Sequence, residues 1–81
     1  MKRMLLVEDD SMLGNGICLA LQSDELQIDL CQTLAEARAA AVYDYALFIL
    51  DINLPDGSGV DYLCELRAGG ISTPVILLTA N

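Results

Sequence analysis

The hydrophobic residues of this chain gather into short runs separated by stretches of mixed polarity. Arg3 to Val7 reads RMLLV, Tyr45 to Leu50 reads YALFIL and Pro74 to Thr79 reads PVILLT. Unbroken runs of this length suit strands buried on both faces. Gln27 to Cys31 reads QIDLC, and Ile28 and Leu30 alternate against Asp29 as in a half-exposed edge strand. Between the runs the apolar spacing turns helical. Leu13, Ile17, Ala20 and Leu21 recur within Ser11 to Ser23, with Asp10 or Ser11 placed to cap the start, although Gly14 and Gly16 weaken the helix. Thr33 caps a second helix with Leu34, Ala37, Ala40 and Ala41 inward and Glu36 and Arg38 outward. A third carries Val60, Leu63, Cys64 and Leu66 on one face and stops at Gly69 and Gly70.

The predicted order is βαβαβαβ, with crossovers of helical length and neither repeat nor linker, which specifies one α/β domain built on an open parallel sheet. Right-handed crossovers put helices on both faces. The continuous runs make the first, third and fourth strands central in the intended fold, so the fourth is not expected at an edge of the whole sheet.

Composition narrows the function. The chain has 81 residues, 54% of them hydrophobic, and twelve acids against four bases give a net charge of -8. Such a surface does not suit a polyanion, which needs clustered Lys and Arg. Lys2 and Arg3 precede an apolar run too short for a signal peptide or a membrane span, so a cytoplasmic chain is expected. Cys18, Cys31 and Cys64 show no CxxC spacing, and there is no histidine to complete a zinc site or to activate a nucleophile. The cysteines are therefore expected as small buried hydrophobes.

Candidate chemistry lies where strands end. Ligands of open parallel sheets bind beyond the carboxyl ends of the strands. The first strand runs into Glu8, Asp9 and Asp10, the third runs into Asp51, and Asp56 follows in the next loop. Clustered carboxylates repel unless a cation neutralises them, and hard oxygen donors without His or Cys suit Mg2+. A cation there would also screen an Asp oxygen from an incoming phosphoryl group, leaving the carboxylate free to act as a nucleophile. Asp10 reads as a helix cap in preference to a metal ligand. Asp24, Glu25, Asp29, Glu36, Asp44, Asp61 and Glu65 read as solvated surface. Thr79, at the end of the fourth strand, either offers a hydroxyl to a phosphoryl oxygen or is there for its β propensity, and Ala80 leaves room beside it. Pro55 and Gly57 are turn residues, and Gly59 permits a close helix start.

These residues resemble the receiver domains of bacterial two-component response regulators, in particular the branch carrying a winged-helix DNA-binding domain. LLVEDD, LFILDINLPDGSG and TPVILLTAN match three family motifs in order and at family spacing, and the resemblance spans the chain. It implies a flavodoxin-like doubly wound parallel sheet with strand order 2-1-3-4. It implies that Asp51 is the phospho-acceptor and Thr79 the switch hydroxyl. Mg2+ would be held by Asp9 and Asp51 directly, by the backbone carbonyl of Asn53, and by Glu8 with its help passing through water. The implied donor is a sensor histidine kinase, and the implied output is transcription through a separate DNA-binding domain, with no nucleic-acid or membrane contact by this chain.

Family members continue with a fourth helix, a fifth strand that opens with a phosphate-binding lysine, and a fifth helix. Residues 1–81 are therefore expected to be the N-terminal part of a receiver domain. By themselves they would take up phosphate poorly, because Lys2 lies at the opposite end of the first strand. They are also expected to self-associate through the edge of the fourth strand or an apolar helix face. The competing enzymatic reading is a Mg2+-dependent phosphohydrolase with an Asp nucleophile. Such enzymes commonly place a second acid two residues after the nucleophile, where this chain has Asn53.

Overall fold

The parallel sheet grows outward from β1 (Lys2–Val7), whose alternate side chains face opposite layers. Leu5 and Val7 join one hydrophobic cluster, Met4 and Leu6 the other, and all four are buried. The unbroken apolar run thus reflects burial on both faces. In this computed structural model, which describes residues 1–40 and 44–79, the elements after β1 are α1 (Ser11–Leu21), β2 (Leu26–Cys31), α2 (Leu34–Ala40) and β3 (Leu47–Asp51). There follow β4 (Asn53–Leu54), β5 (Gly57–Ser58), α3 (Gly59–Ala68) and β6 (Val75–Leu78). The expected places of Ala41 and Ala80 lie outside the described residues.

The main sheet has the order β2-β1-β3-β6, which is the expected 2-1-3-4 with β6 as the fourth long strand. All three pairings are parallel. Ile17 and Cys18 of α1 pack with Met4, Leu6, Ile28 and Ile49 on one face. Leu34 and Ala37 of α2 and Tyr62 and Leu66 of α3 pack with Leu5, Val7, Phe48 and Leu50 on the other. Helices on both faces make the sheet doubly wound. Tyr45 and Tyr62 meet the ring of Phe48 edge-on, with centroids 5.5 and 6.4 Å apart.

Several sequence expectations need correction. The α1 helix ends at Leu21 rather than Ser23, and its inner face is turned from the one expected: Leu13, Ala20 and Leu21 are exposed, while Gly14 is buried. The reason is steric, because a Cβ at Gly14 would lie 3.0 Å from Leu30 Cδ1, so the helix seats its glycine where the approach is closest. In α3 the inward residues are Gly59, Tyr62 and Leu66, whereas Val60 and Cys64 are exposed. Of the cysteines, only Cys31 is fully buried.

The third strand starts at Leu47, since Tyr45 turns into the core beside Phe48 before the ladder begins. Asp29 is not solvated surface. It accepts hydrogen bonds of 2.8 Å from both Arg3 and the Tyr45 hydroxyl, a partly buried network joining β1, β2 and the approach to β3. At the other end of the order, β6 occupies the edge of the described sheet, as 2-1-3-4 has it, and its burial is partial, with Ile76 48% exposed.

Candidate metal and phosphoryl site at the strand ends

The site follows from the register of the sheet. Val7 is aligned with Leu50, so the next residues, Glu8 and Asp51, emerge side by side from β1 and β3 at the carboxyl rim. Asp51 is aligned in turn with Leu78, which leaves Thr79 exposed one residue beyond, on the far side of Asp51 from Glu8. The Ile52 amide donates to the Leu78 carbonyl at 3.1 Å and fixes this end of β3 against β6.

Carboxylate oxygens of Glu8, Asp9 and Asp51 lie within 4.8 Å of one another. Glu8 and Asp51 are 4% and 5% exposed, while Asp9 opens to solvent. Burial pushes the Glu8 carboxyl above its ordinary value. The Asp10 amide, which donates to Glu8 Oε1 at 3.0 Å, opposes that shift, and the charges of Asp51 and Asp9 reinforce it. Two buried acids and a third at the mouth, with neither His nor Cys among them, form a hard-oxygen donor set that fits Mg2+ and leaves a solvent-facing side for waters or a phosphoryl group.

The remaining candidates divide between this cluster and local structure. Asp10 is the N-cap of α1, its side chain accepting from the Met12 and Leu13 amides at 3.0 and 3.2 Å. The Asn53 side chain is exposed, and its backbone amide donates to Asp51 Oδ1 at 3.2 Å, orienting the carboxylate. Asp56 does not join the acids at the rim. It lies at the tip of the β4–β5 hairpin and accepts from the Leu34 and Ala35 amides at 2.8 and 3.0 Å, capping α2 from a distant part of the chain. Those amide bonds, the Leu34 amide foremost, hold its carboxyl below the ordinary value.

The loop anticipated after Asp51 is thus a small hairpin with a two-residue turn, Pro55-Asp56, followed by Gly57 at φ 151°. Ser58 caps α3 by accepting from the Val60 amide, and Gly59 lets α3 begin against the Asp51 backbone. The role of Asp56 was beyond local reading, because its partners lie 22 and 21 residues away. The one sequence signal was an acid in a Pro-Asp-Gly turn, two residues ahead of the Ser58 that caps the next helix.

A doubly wound parallel sheet with an acid trio at a strand-end rim defines the class of protein. Within that class, residues 4–81 match the family described as the response regulator receiver domain, and the chain belongs to that family. It is 40% identical over 80 residues to the cell cycle transcriptional regulator CtrA of Caulobacter vibrioides, a match covering 98% of this chain and 35% of that protein. It is 44% identical over 80 residues to the response regulator protein PmrA of Pseudomonas aeruginosa, covering 98% and 36%. The chain therefore spans about a third of the length of these curated relatives.

Among solved structures, the response regulator protein TrrA of Thermotoga maritima in complex with Mg(2+)-BeF superposes with a TM-score of 0.89 at 34% identity, over 100% of this chain and 71% of that one. TrrA in complex with the histidine kinase ThkA gives 0.88 at 34% identity, over 99% and 70%.

Proposed function

We propose that this chain accepts a phosphoryl group on Asp51 from a histidine kinase, in a Mg2+-dependent reaction that controls a transcriptional output domain. The observation that carries this reading is the alignment of Glu8 with Asp51 across β1 and β3, which holds two buried carboxylates and Asp9 within reach of one cation. Glu8, Asp9, Asp51 and the Asn53 carbonyl would hold Mg2+, which when bound supplies charge neutralisation for the acids and for the incoming phosphoryl oxygens.

The protein's own contribution begins with the nucleophile. The Asn53 amide holds one Asp51 oxygen, and burial keeps bulk water from competing with the carboxylate. A carboxylate oxygen attacks phosphorus, the P–N bond of the donor phosphohistidine breaks, and the electron pair leaves with the imidazole, which takes up a proton. The product is an acyl phosphate on Asp51. Thr79, across the rim from Glu8, would donate its hydroxyl to a phosphoryl oxygen. TrrA has been solved with Mg(2+)-BeF and with a histidine kinase, and both CtrA proteins from Caulobacter are described as transcriptional regulators, which supports carrying cation, donor and output across to this chain.

Residues 1–81 are read as the N-terminal part of the receiver domain, in a cytoplasmic protein. Among the described residues no helix is long and apolar enough to cross a membrane. Self-association through the β6 edge or the exposed apolar residues of α1, Met12 and Leu19, belongs to the same proposal and is read by sedimentation over a concentration series. The reaction itself is tested by incubating the full-length protein with Mg2+ and a small acyl phosphate, beside its Asp51→Asn variant. Wild type gains one base-labile phosphate and the variant none. Equal labelling of the two, or none of either, overturns the assignment.

A further inference from the structure

The hairpin that follows Asp51 is held at two ends by different means. Its base is fixed by the sheet: the Ile52 amide donates to the Leu78 carbonyl at 3.1 Å, and the Gly59 amide donates to the Ile52 carbonyl at 2.9 Å. Its tip reaches α2. There both carboxylate oxygens of Asp56 are used, one on the Leu34 amide and the other on the Ala35 amide. Gly57 fits closely beside them, since a Cβ there would fall 2.8 Å from Leu34 Cδ1. Asn53, Pro55, Asp56 and Gly57 are all exposed, and only Leu54 packs partly into the core. A two-residue ladder with so little burial does not hold its shape unaided.

Asn53 sits between the two anchors, and its amide holds Asp51 Oδ1. We propose that Asp56 is a positioning residue for the Asp51 site: by clamping the hairpin tip to the first turn of α2, it fixes the backbone at Asn53 and, through it, the Asp51 carboxylate. The inference rests on the reading of Asp51, Asp9 and Glu8 as a Mg2+ site. Its competitor is a purely structural cap, in which Asp56 serves α2 and nothing else. Thr33 separates the two, because its hydroxyl caps the same helix by accepting from the Glu36 amide at 3.1 Å without touching the hairpin.

The test compares Asp56→Ala, Asp56→Asn and Thr33→Ala in the full-length protein, by calorimetric titration with MgCl2 and by amide hydrogen exchange at Asn53 without metal. Asp56→Ala is expected to weaken Mg2+ binding by roughly tenfold, the scale seen when a group supporting a metal ligand is lost. It should also speed exchange at Asn53. Asp56→Asn, which keeps one acceptor oxygen, should fall between it and wild type, and gives the readout if the alanine variant fails to fold. Thr33→Ala should lower the melting temperature yet leave both readouts as in wild type. Unchanged Mg2+ affinity in the Asp56 variants, or an equal loss in Thr33→Ala, overturns the positioning role alone. A wild-type protein that takes up no Mg2+ overturns the underlying reading, and the inference with it.

Discussion

Gly59 stands directly against the backbone of Asp51: a Cβ at position 59 would sit 2.2 Å from the Asp51 carbonyl oxygen and 3.0 Å from the carbonyl carbon. That oxygen belongs to the last residue of a buried strand and has no rotamer by which to withdraw. Gly59→Ala is therefore expected to cost about 3 kcal/mol, the upper part of the range for overpacking. Urea unfolding reads the loss, and an unchanged midpoint would show that the contact is slack. Because the displaced group carries the proposed phospho-acceptor, phosphoryl uptake should fall as well.

The acid cluster makes an opposite prediction for Asp51. Without metal, Glu8 and Asp51 are buried like charges, and Asp51→Asn removes one while keeping an oxygen to accept from the Asn53 amide. The variant should be more stable than wild type by about 1 kcal/mol in metal-free buffer. Added Mg2+ should raise the melting temperature of wild type by mass action and leave that of the variant where it was. A variant less stable than wild type in chelator would argue that repulsion is not what the site stores.

Two glycines of α1 should respond differently to alanine. At Gly16 an added Cβ meets nothing within 4 Å, so Gly16→Ala should stabilise by about 1 kcal/mol through helix propensity. At Gly14 the same change presses on Leu30, with Cδ1 at 3.0 Å and Cδ2 at 3.2 Å. The propensity gain there should be cancelled, leaving Gly14→Ala at or below wild type in thermal melts. Equal gains at both positions would mean that Leu30 moves aside freely.

Stability should fall in alkali. Burial pushes the Cys31 thiol up to about 11 from 9.0, with the charges of Glu36 and Asp29 adding to the effect. Burial likewise raises Tyr45 and Tyr62 in the same cluster. Between those two thiol values the unfolded chain has released a proton that the folded chain keeps. The contribution is fully present below pH 9.0 and is lost as pH rises through about 11. Cys31 should account for about 2 kcal/mol of that loss. Denaturant midpoints of wild type and Cys31→Ala across this window should diverge in slope, and parallel slopes would exclude the thiol as a source.

Much of the main sheet was legible because its cause is local. Unbroken runs such as LLV and FIL mark strands covered on both faces, and Asp10 caps the helix that begins beside the first of them. Helix faces were less legible. The spacing of Leu13, Ile17, Ala20 and Leu21 is helical, but the inward direction was decided by where Gly14 could approach Leu30. Hydrophobic spacing alone also passed over Tyr62, whose ring fills the core while its hydroxyl reaches the Ala37 carbonyl at 3.3 Å.

The sequence by itself determined the alternation of strands and helices, the acids that end β1 and β3, and the three motifs that place the chain among receiver domains. Those features depend on neighbours along the chain. Register, edges and long-range partners depend on elements brought together from far apart, and only the tertiary structure decided them. It set Val7 beside Leu50 and so Glu8 beside Asp51, sent Asp29 to Arg3 and Tyr45, and carried Asp56 away from the acid rim to the start of α2. A carboxylate's partner is fixed by which amide or cation the fold brings within hydrogen-bonding distance, and residue type alone carries no record of that choice.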